Sequence, residues 1–285
     1  DIGDTAGTLR KKVRDMEKEI CRMRTPYGTV VQMFEMNMTD GPPRTFSWAN
    51  PRALIWAATQ CSREFATFLA LYFIDGFCRT CAYMDDCKPG NALRPDIART
   101  FYGYYLQLLD LPEFFRCGLL GWLDLCYITQ ALVEKTVGGI EARSAKVLSL
   151  VAWPFTVDIP QDRPRPRGIE SYTFTWNGFV ADGKAHKQVT GWVGAGGYHC
   201  CLKCVNIIGR MPAEEVNDGW LQHFTSLDDT KWEPCTAETM QSICAHLRGA
   251  HDEATEMQLG FRYHDGARIV NVSAEFRFPD CSIYD

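Results

Sequence analysis

The run Tyr83-Met84-Asp85-Asp86-Cys87-Lys88-Pro89-Gly90-Asn91 decides how this chain is read. A mixed, partly apolar segment leads into it from Phe77, and a Pro-Gly pair follows it. That order predicts a short buried strand over 77–84, then a tight turn with carboxylates presented at the strand's tip. A second carboxylate brought there from elsewhere would hold a divalent cation for phosphoryl chemistry. Taken alone, two aspartates ahead of Pro-Gly also describe an ordinary solvated turn.

Tyr-Met-Asp-Asp is the metal-binding tetrapeptide of retroviral reverse transcriptases, where it caps a hairpin between two apolar strands. Here Cys87, Lys88, Pro89 and Gly90 cannot continue such a strand, and no other polymerase motif precedes it.

On the N-terminal side, Leu9, Val13, Met16, Ile20 and Met23 recur at spacings of three and four among charges, predicting an amphipathic helix within 5–24. From Val30 the period becomes two, with Phe34, Met36 and Met38 on one face of a strand that Asp40-Gly41-Pro42-Pro43 ends. Asn50-Pro51 reads as a helix start. Leu54, Ala58, Cys61, Phe65, Phe68, Leu69 and Tyr72 continue at helical spacing to about Asp75-Gly76. Cys78 and Cys81 are three apart within a strand and so point to opposite faces, which disfavours shared metal ligation.

On the C-terminal side, the aromatic segment from Ala98 to Leu111 suits a strand or a buried helix, and Leu119 to Val133 is a further apolar element. Ile140 to Leu150 reads as a helix. Pro160 to Gly168 is a loop whose Arg163, Arg165 and Arg167 ride on a proline-stiffened backbone, solvated or set against phosphates. Tyr172, Phe174 and Trp176 then alternate with polar residues in the clearest strand, which runs through Ala181 into a helix from Gly183. Asp182 stands at that handover, as a helix N-cap or as a catalytic carboxylate.

With 285 residues, 46% apolar and 23% charged, the chain can bury a sizeable core. Its net charge of −5 makes the whole a poor electrostatic match for nucleic acid, leaving local patches such as Arg10-Lys11-Lys12 or the arginine loop. Phe101 to Val133, the most apolar region, is interrupted by Asp110, Glu113, Arg116 and Asp124 and lacks the uncharged run of a membrane span. Thirteen cysteines without an N-terminal secretion signal point to free thiols or metal ligands in an intracellular protein. Position 1 is not Met, and the chain stops after a strand-like run, so it reads as an excerpt of something longer.

After Asp182 comes His199-Cys200-Cys201-Leu202-Lys203-Cys204. Cys201 and Cys204 have zinc-knuckle spacing, which puts two thiolates of one tight turn on one tetrahedral ion. His223 and Cys235 are taken as the remaining ligands, with Cys244, His246, His199 and Cys200 also within reach in sequence. A buried structural thiol pair and a thioredoxin-like redox pair are the alternatives. The redox motif opens a helix after a strand, whereas Gly194 to Gly197 places this one after a loop.

The block Asp85-Asp86-Cys87-Lys88-Pro89-Gly90-Asn91-Ala92-Leu93-Arg94-Pro95-Asp96 resembles one found in transposase-like proteins of dinoflagellate genomes, distantly similar to the Plavaka and CACTA cut-and-paste transposases. Ala181-Asp182-Gly183-Lys184-Ala185-His186-Lys187, then Gly194-Ala195-Gly196-Gly197 and the Cys201–Cys204 pair, resembles a second block of that family. The likeness runs from about Tyr27 to the C-terminus. It implies an α/β, ribonuclease-H-like mixed sheet with flanking helices and a small zinc-bearing helical insertion. Asp85 would close the first core strand and Asp182 the fourth, both as catalytic Mg²⁺ or Mn²⁺ ligands, with Asp86 beside them.

The organisation expected is a helix over 1–25, a core over 26–197, a zinc insertion over 198–250 and a terminal strand region over 251–285. The resemblance further implies metal-dependent cleavage and transfer of DNA strands at transposon ends, a nuclear location and a possible homo-oligomer. Asp285 would begin an Asp-x-x-His element that the chain does not complete, and no Glu is assignable as the third acid, so this polypeptide alone is expected not to cleave DNA. Cys87 and Lys88 depart from the family block. The competing reading is a non-catalytic, element-derived zinc protein that binds DNA or a protein partner.

Overall fold

A computed structural model describes residues 15, 18–19, 22–87, 100–118, 121–209, 221–225, 228–250, 252–263 and, as backbone, 282–284. The N-terminal helix lies outside these residues apart from Asp15, Lys18, Glu19 and Arg22, which are helical. The Pro-Gly segment over 88–96, the patch Arg10-Lys11-Lys12 and Asp285 also lie outside them.

A short ribbon of β1 (Arg24–Thr25) and β2 (Gly28–Thr29) precedes β3 (Val31–Met38) and β4 (Gly41–Ala49). Here the structure corrects the sequence reading. Asp40-Gly41-Pro42-Pro43 does not end the β structure; the chain turns back into an antiparallel hairpin in which Phe34 faces Phe46. Proline is tolerated there because a two-stranded ribbon has free edges on which no N–H is required. Next come α1 (Pro51–Cys61) and α2 (Arg63–Tyr72), where one continuous helical region was expected. Ser62 separates them, ending α1 in extended backbone while its Oγ accepts a 3.0 Å bond from the Phe65 N–H to start α2.

The central sheet is built from β5 (Phe77–Cys87), β6 (Phe101–Leu108), β7 (Trp122–Thr129), β8 (Phe155–Asp158), β9 (Ser171–Ala181) and, at the end of the chain, β12 (Ser282–Tyr284). Between them lie the single turns α3 (Glu113–Arg116) and α4 (Gln130–Val133), and the helix α5 (Gly139–Val151). The strands run in the order β12-β9-β5-β6-β7, with β8 beside β9. β5, β6 and β7 are antiparallel neighbours, whereas β9 lies parallel to β5 and β12 parallel to β9. The α5 crossover carries the chain from the β7 edge to the far side of β5, which a parallel pairing requires.

β5 is longer than its sequence suggested. Asp85 and Asp86 lie within it, opposite Gly103 and Tyr102, so they project to opposite faces of the sheet instead of sharing a tip. One face forms the core: Ala82 and Met84 of β5, Tyr102, Tyr104 and Leu106 of β6, and Phe174, Phe179 and Ala181 of β9 pack with Val147, Leu148 and Val151 of α5. Each large apolar side chain there contributes about 1.5–3 kcal/mol by leaving water. β9 absorbs an irregularity at Asn177, since Thr80 pairs with Trp176 and Cys81 with Gly178. This keeps both halves of the strand facing the core.

The remaining elements are α6 (Gly183–Thr190), the pair β10 (Ile207–Ile208) and β11 (Gln222–His223), α7 (Ala237–Gly249) and α8 (Glu253–Leu259). Leu202, Cys235, Met240, Cys244, Leu247 and Phe261 join the same core as the sheet. Backbone bonds from Val193 N–H to the Gly260 carbonyl and from Arg262 N–H to the Gly191 carbonyl, each 2.8 Å, tie this part to the end of α6. No helix among the described residues is long and apolar enough to cross a membrane.

Candidate functional site

Two groups of residues carry chemistry. The first lies at the C-terminal end of the parallel strands. Tyr83 pairs with Val180, so Asp85 and Asp182, each two residues further on, are delivered to the same end of adjacent strands. Strands in a sheet lie about 4.8 Å apart, so the backbones leading to the two acids run side by side at that end. Asp85 accepts a 3.2 Å bond from the Tyr83 hydroxyl. Asp182 is the N-cap of α6, its Oδ1 accepting from the Ala185 N–H at 2.6 Å. The capping role and a role at the strand end are held by one side chain.

Asp86 is engaged differently. Its carboxylate takes the ammonium of Lys184 from the first turn of α6. The bond from Asp86 holds the Lys184 ammonium above the usual lysine range, and the charge of Asp182 adds to this. Tyr102, opposite Asp86, is likewise raised, first by burial and then by the Asp86 charge. A fixed cation therefore already sits among the strand-end acids. The sequence reading gave no role to Lys184, which is two residues past Asp182 in the first turn of α6.

The second group surrounds the Cys-x-x-Cys. Cys204 forms a bridge with Pro234, and the Cys235 N–H donates to the Lys203 carbonyl at 2.8 Å, so Cys235 is brought beside the pair. His199, Cys201, Cys204 and Cys235 line one apolar-walled recess of about 210 Å³ closed by Ile243 and Phe261. Burial pushes the Cys204 thiol up to about 12, helped by its bond to Cys201 and by the charges of Cys201 and Cys200. Cys200 is raised and His199 lowered, both chiefly by burial.

The expected ligand His223 does not line this recess; its Nδ1 lies 2.7 Å from the Thr225 Oγ1. Cys244 is buried and His246 exposed on α7. By chemistry, three thiols and an imidazole suit zinc. As placed, no three His, Cys, Asp or Glu side chains among the described residues are gathered tightly enough to share one ion.

Cys78 and Cys81 are both buried and project from opposite faces of β5, with burial pushing their thiols up to about 12 and about 11. Arg163 of the arginine loop is anchored, donating to the Gln60 carbonyl at 2.5 Å and paired with Asp162. No protein-family model matches the chain, and no curated protein matches it in sequence.

Proposed function

We propose that this chain is a transposase-like protein with a ribonuclease-H-like core, and that Asp85 and Asp182 are what it brings to a divalent-metal site for phosphoryl transfer on DNA. The observation that carries this reading is the strand order. Three antiparallel strands, β5 to β7, are followed by a helical crossover, the short β8 antiparallel to β9, then β9 parallel to β5 and β12 parallel to β9. In that architecture acids at the ends of the first and fourth strands meet; β5 ends in Asp85-Asp86-Cys87, and Asp182 directly follows β9. Divalent ions, when bound, would polarise the scissile phosphate.

Asp85 and Asp182 would be the ligands, Tyr83 would orient Asp85, and Lys184 would hold Asp86 while no ion is present. The described acids make only part of such a site, which fits a polypeptide that binds metal weakly and does not cut DNA by itself. The test is Mn²⁺ titration of the wild type against Asp85→Asn and Asp182→Asn. Binding lost in both variants supports the reading, and binding unchanged in both overturns it.

A second reading, a zinc protein that binds DNA or a protein partner, is favoured by the four donors around one recess. Stoichiometric zinc on the purified chain, lost in Cys201→Ser and Cys235→Ser but kept in His223→Gln, would support it.

A further inference from the structure

The register that sends Tyr102, Tyr104 and Leu106 into the core sends Phe101, Gly103 and Tyr105 to the other face, together with Tyr83 of β5 and Trp122, Asp124 and Tyr127 of β7. Their five rings form one contiguous surface. Tyr83 lies 5.4 Å from Trp122 and 6.1 Å from Tyr105 between ring centres. Tyr127 meets Tyr105 at 5.8 Å and Phe101 at 5.5 Å, both edge to face. Gly103 makes this possible, because the Tyr105 ring lies where its Cβ would be.

The platform is open at its β7 side. Tyr127 is 49% exposed. A trough of about 380 Å³ runs along its ring between Phe101 and Thr129. The Tyr127 hydroxyl donates to Asp124 Oδ1 at 2.7 Å, while Asp124 Oδ2 has no partner among the described residues. Burial, and then Asp124 itself, hold the Tyr127 phenol far above its usual range. The pair therefore presents the ring of a protonated phenol beside the Asp124 carboxylate.

We propose that this face docks an arginine-bearing segment of a partner polypeptide, with the guanidinium lying on the Tyr127 ring and donating to Asp124. The chemistry selects among occupants. An aromatic face attracts a cation through its quadrupole, and a carboxylate beside it accepts the cation's N–H groups. A planar guanidinium does both at once, which a compact ammonium cannot. Its three-methylene stem fits an apolar trough. Single-stranded nucleic acid also stacks on such rings, but its phosphates would meet Asp124. A purely apolar peptide would bury Asp124 without a partner.

The inference does not depend on the metal reading, and its test avoids the strand-end acids. The probe is the peptide acetyl-Ala-Arg-Ala-Arg-Ala-amide, titrated calorimetrically into the whole chain, beside its lysine and citrulline counterparts and an oligothymidylate. The arginine peptide should bind, weaken with salt, and lose about ten-fold or more in affinity in Asp124→Asn, the loss expected for a charge-assisted hydrogen bond. Tyr127→Leu should weaken it further than Tyr127→Phe, which keeps the ring. Near-ultraviolet circular dichroism identical to wild type shows that Asp124→Asn is folded. The proposal is overturned by any of four results: no arginine-peptide binding at millimolar concentration, equal binding of the citrulline peptide, competition by oligothymidylate, or self-association of the chain that Asp124→Asn dissolves. The last would make the face a contact between copies.

Discussion

Replacing Lys184 with alanine separates a metal site from a structural ion pair. The Lys184 ammonium is bonded to Asp86 and feels Asp182, yet its side chain is 54% exposed. An ion pair that open to water contributes about 0–1 kcal/mol, so the midpoint of thermal unfolding should fall by no more than about 4 °C for a chain of this size. The effect on a divalent ion is larger. A single positive charge about 5 Å from a doubly charged ion costs about 2–3 kcal/mol at effective dielectric constants of about 80 to 40, where solvent screens the pair strongly. Lys184→Ala should therefore tighten Mn²⁺ binding by about 30- to 150-fold. Titration followed by the paramagnetic resonance of free Mn²⁺ reads this directly. In Lys184→Ala combined with Asp86→Asn the gain should largely vanish, because the released carboxylate is removed as well. Unchanged Mn²⁺ affinity in Lys184→Ala would refute the argument that the lysine occupies a cation position. A stability loss above about 3 kcal/mol would refute the premise that the pair is solvent-screened.

Three further outcomes follow from buried groups. Arg143 is fully buried against Phe46 and Phe34, its guanidinium carbon 3.7 Å and 4.7 Å from their ring centres, and among the described residues its three nitrogens meet no acceptor better than the Cys126 thiol. Cation–π attraction offsets only part of that cost, so Arg143→Met should stabilise the fold by about 1–3 kcal/mol and Arg143→Ala should destabilise it by leaving a cavity, both read by urea unfolding. His199, lowered by burial from the usual 6.5, folds in its neutral form while the unfolded chain takes up the proton. Stability should thus be complete above about pH 6.5 and decline as pH falls below it, and His199→Gln should flatten that slope in pH-dependent unfolding. Cys204, with its thiol pushed up to about 12, should resist alkylation by iodoacetamide at pH 8 while the exposed Cys61 and Cys117 react, as mass mapping of the labelled chain would show.

Much of the architecture was legible because period and punctuation agree with it. Tyr172, Phe174 and Trp176 announced β9, Asn50-Pro51 announced α1, and Asp182-Gly183 announced α6 together with its N-cap. The failures have physical causes. Ser62 breaks a helix without glycine or proline, because a serine hydroxyl can cap a new helix at the residue that ends the previous one. Pro42-Pro43 looked like a terminator, but a hairpin with free edges has no use for their missing N–H groups. The aromatic run 101–105 held two populations that only pairing separates, Tyr102 and Tyr104 for the core and Phe101 and Tyr105 for the other face. The Cys-x-x-Cys was visible as a motif, but Cys235 joins it through a bridge 30 residues away at Pro234, and spacing along the chain could not rank His199 above His223.

The strand-end acids show how finely one such detail bears on function. Alternation along β5 puts Asp85 on the face of Tyr83 and Tyr105, and Asp86 on the face of Met84 and Tyr102. A slip of one residue would exchange them. The register is fixed by burial: Met84 and Ala82 are almost fully enclosed, and exchanging them with Tyr83 and Asp85 would bury a carboxylate and expose a methionine. Asp85 is therefore held on the open face by the same apolar packing that holds Asp86 against α6 and its lysine. An adjacent pair of acids in sequence becomes two acids with different partners. The role of each is set by the sheet it belongs to: Asp85 takes the Tyr83 hydroxyl on one face, and Asp86 takes the Lys184 ammonium on the other.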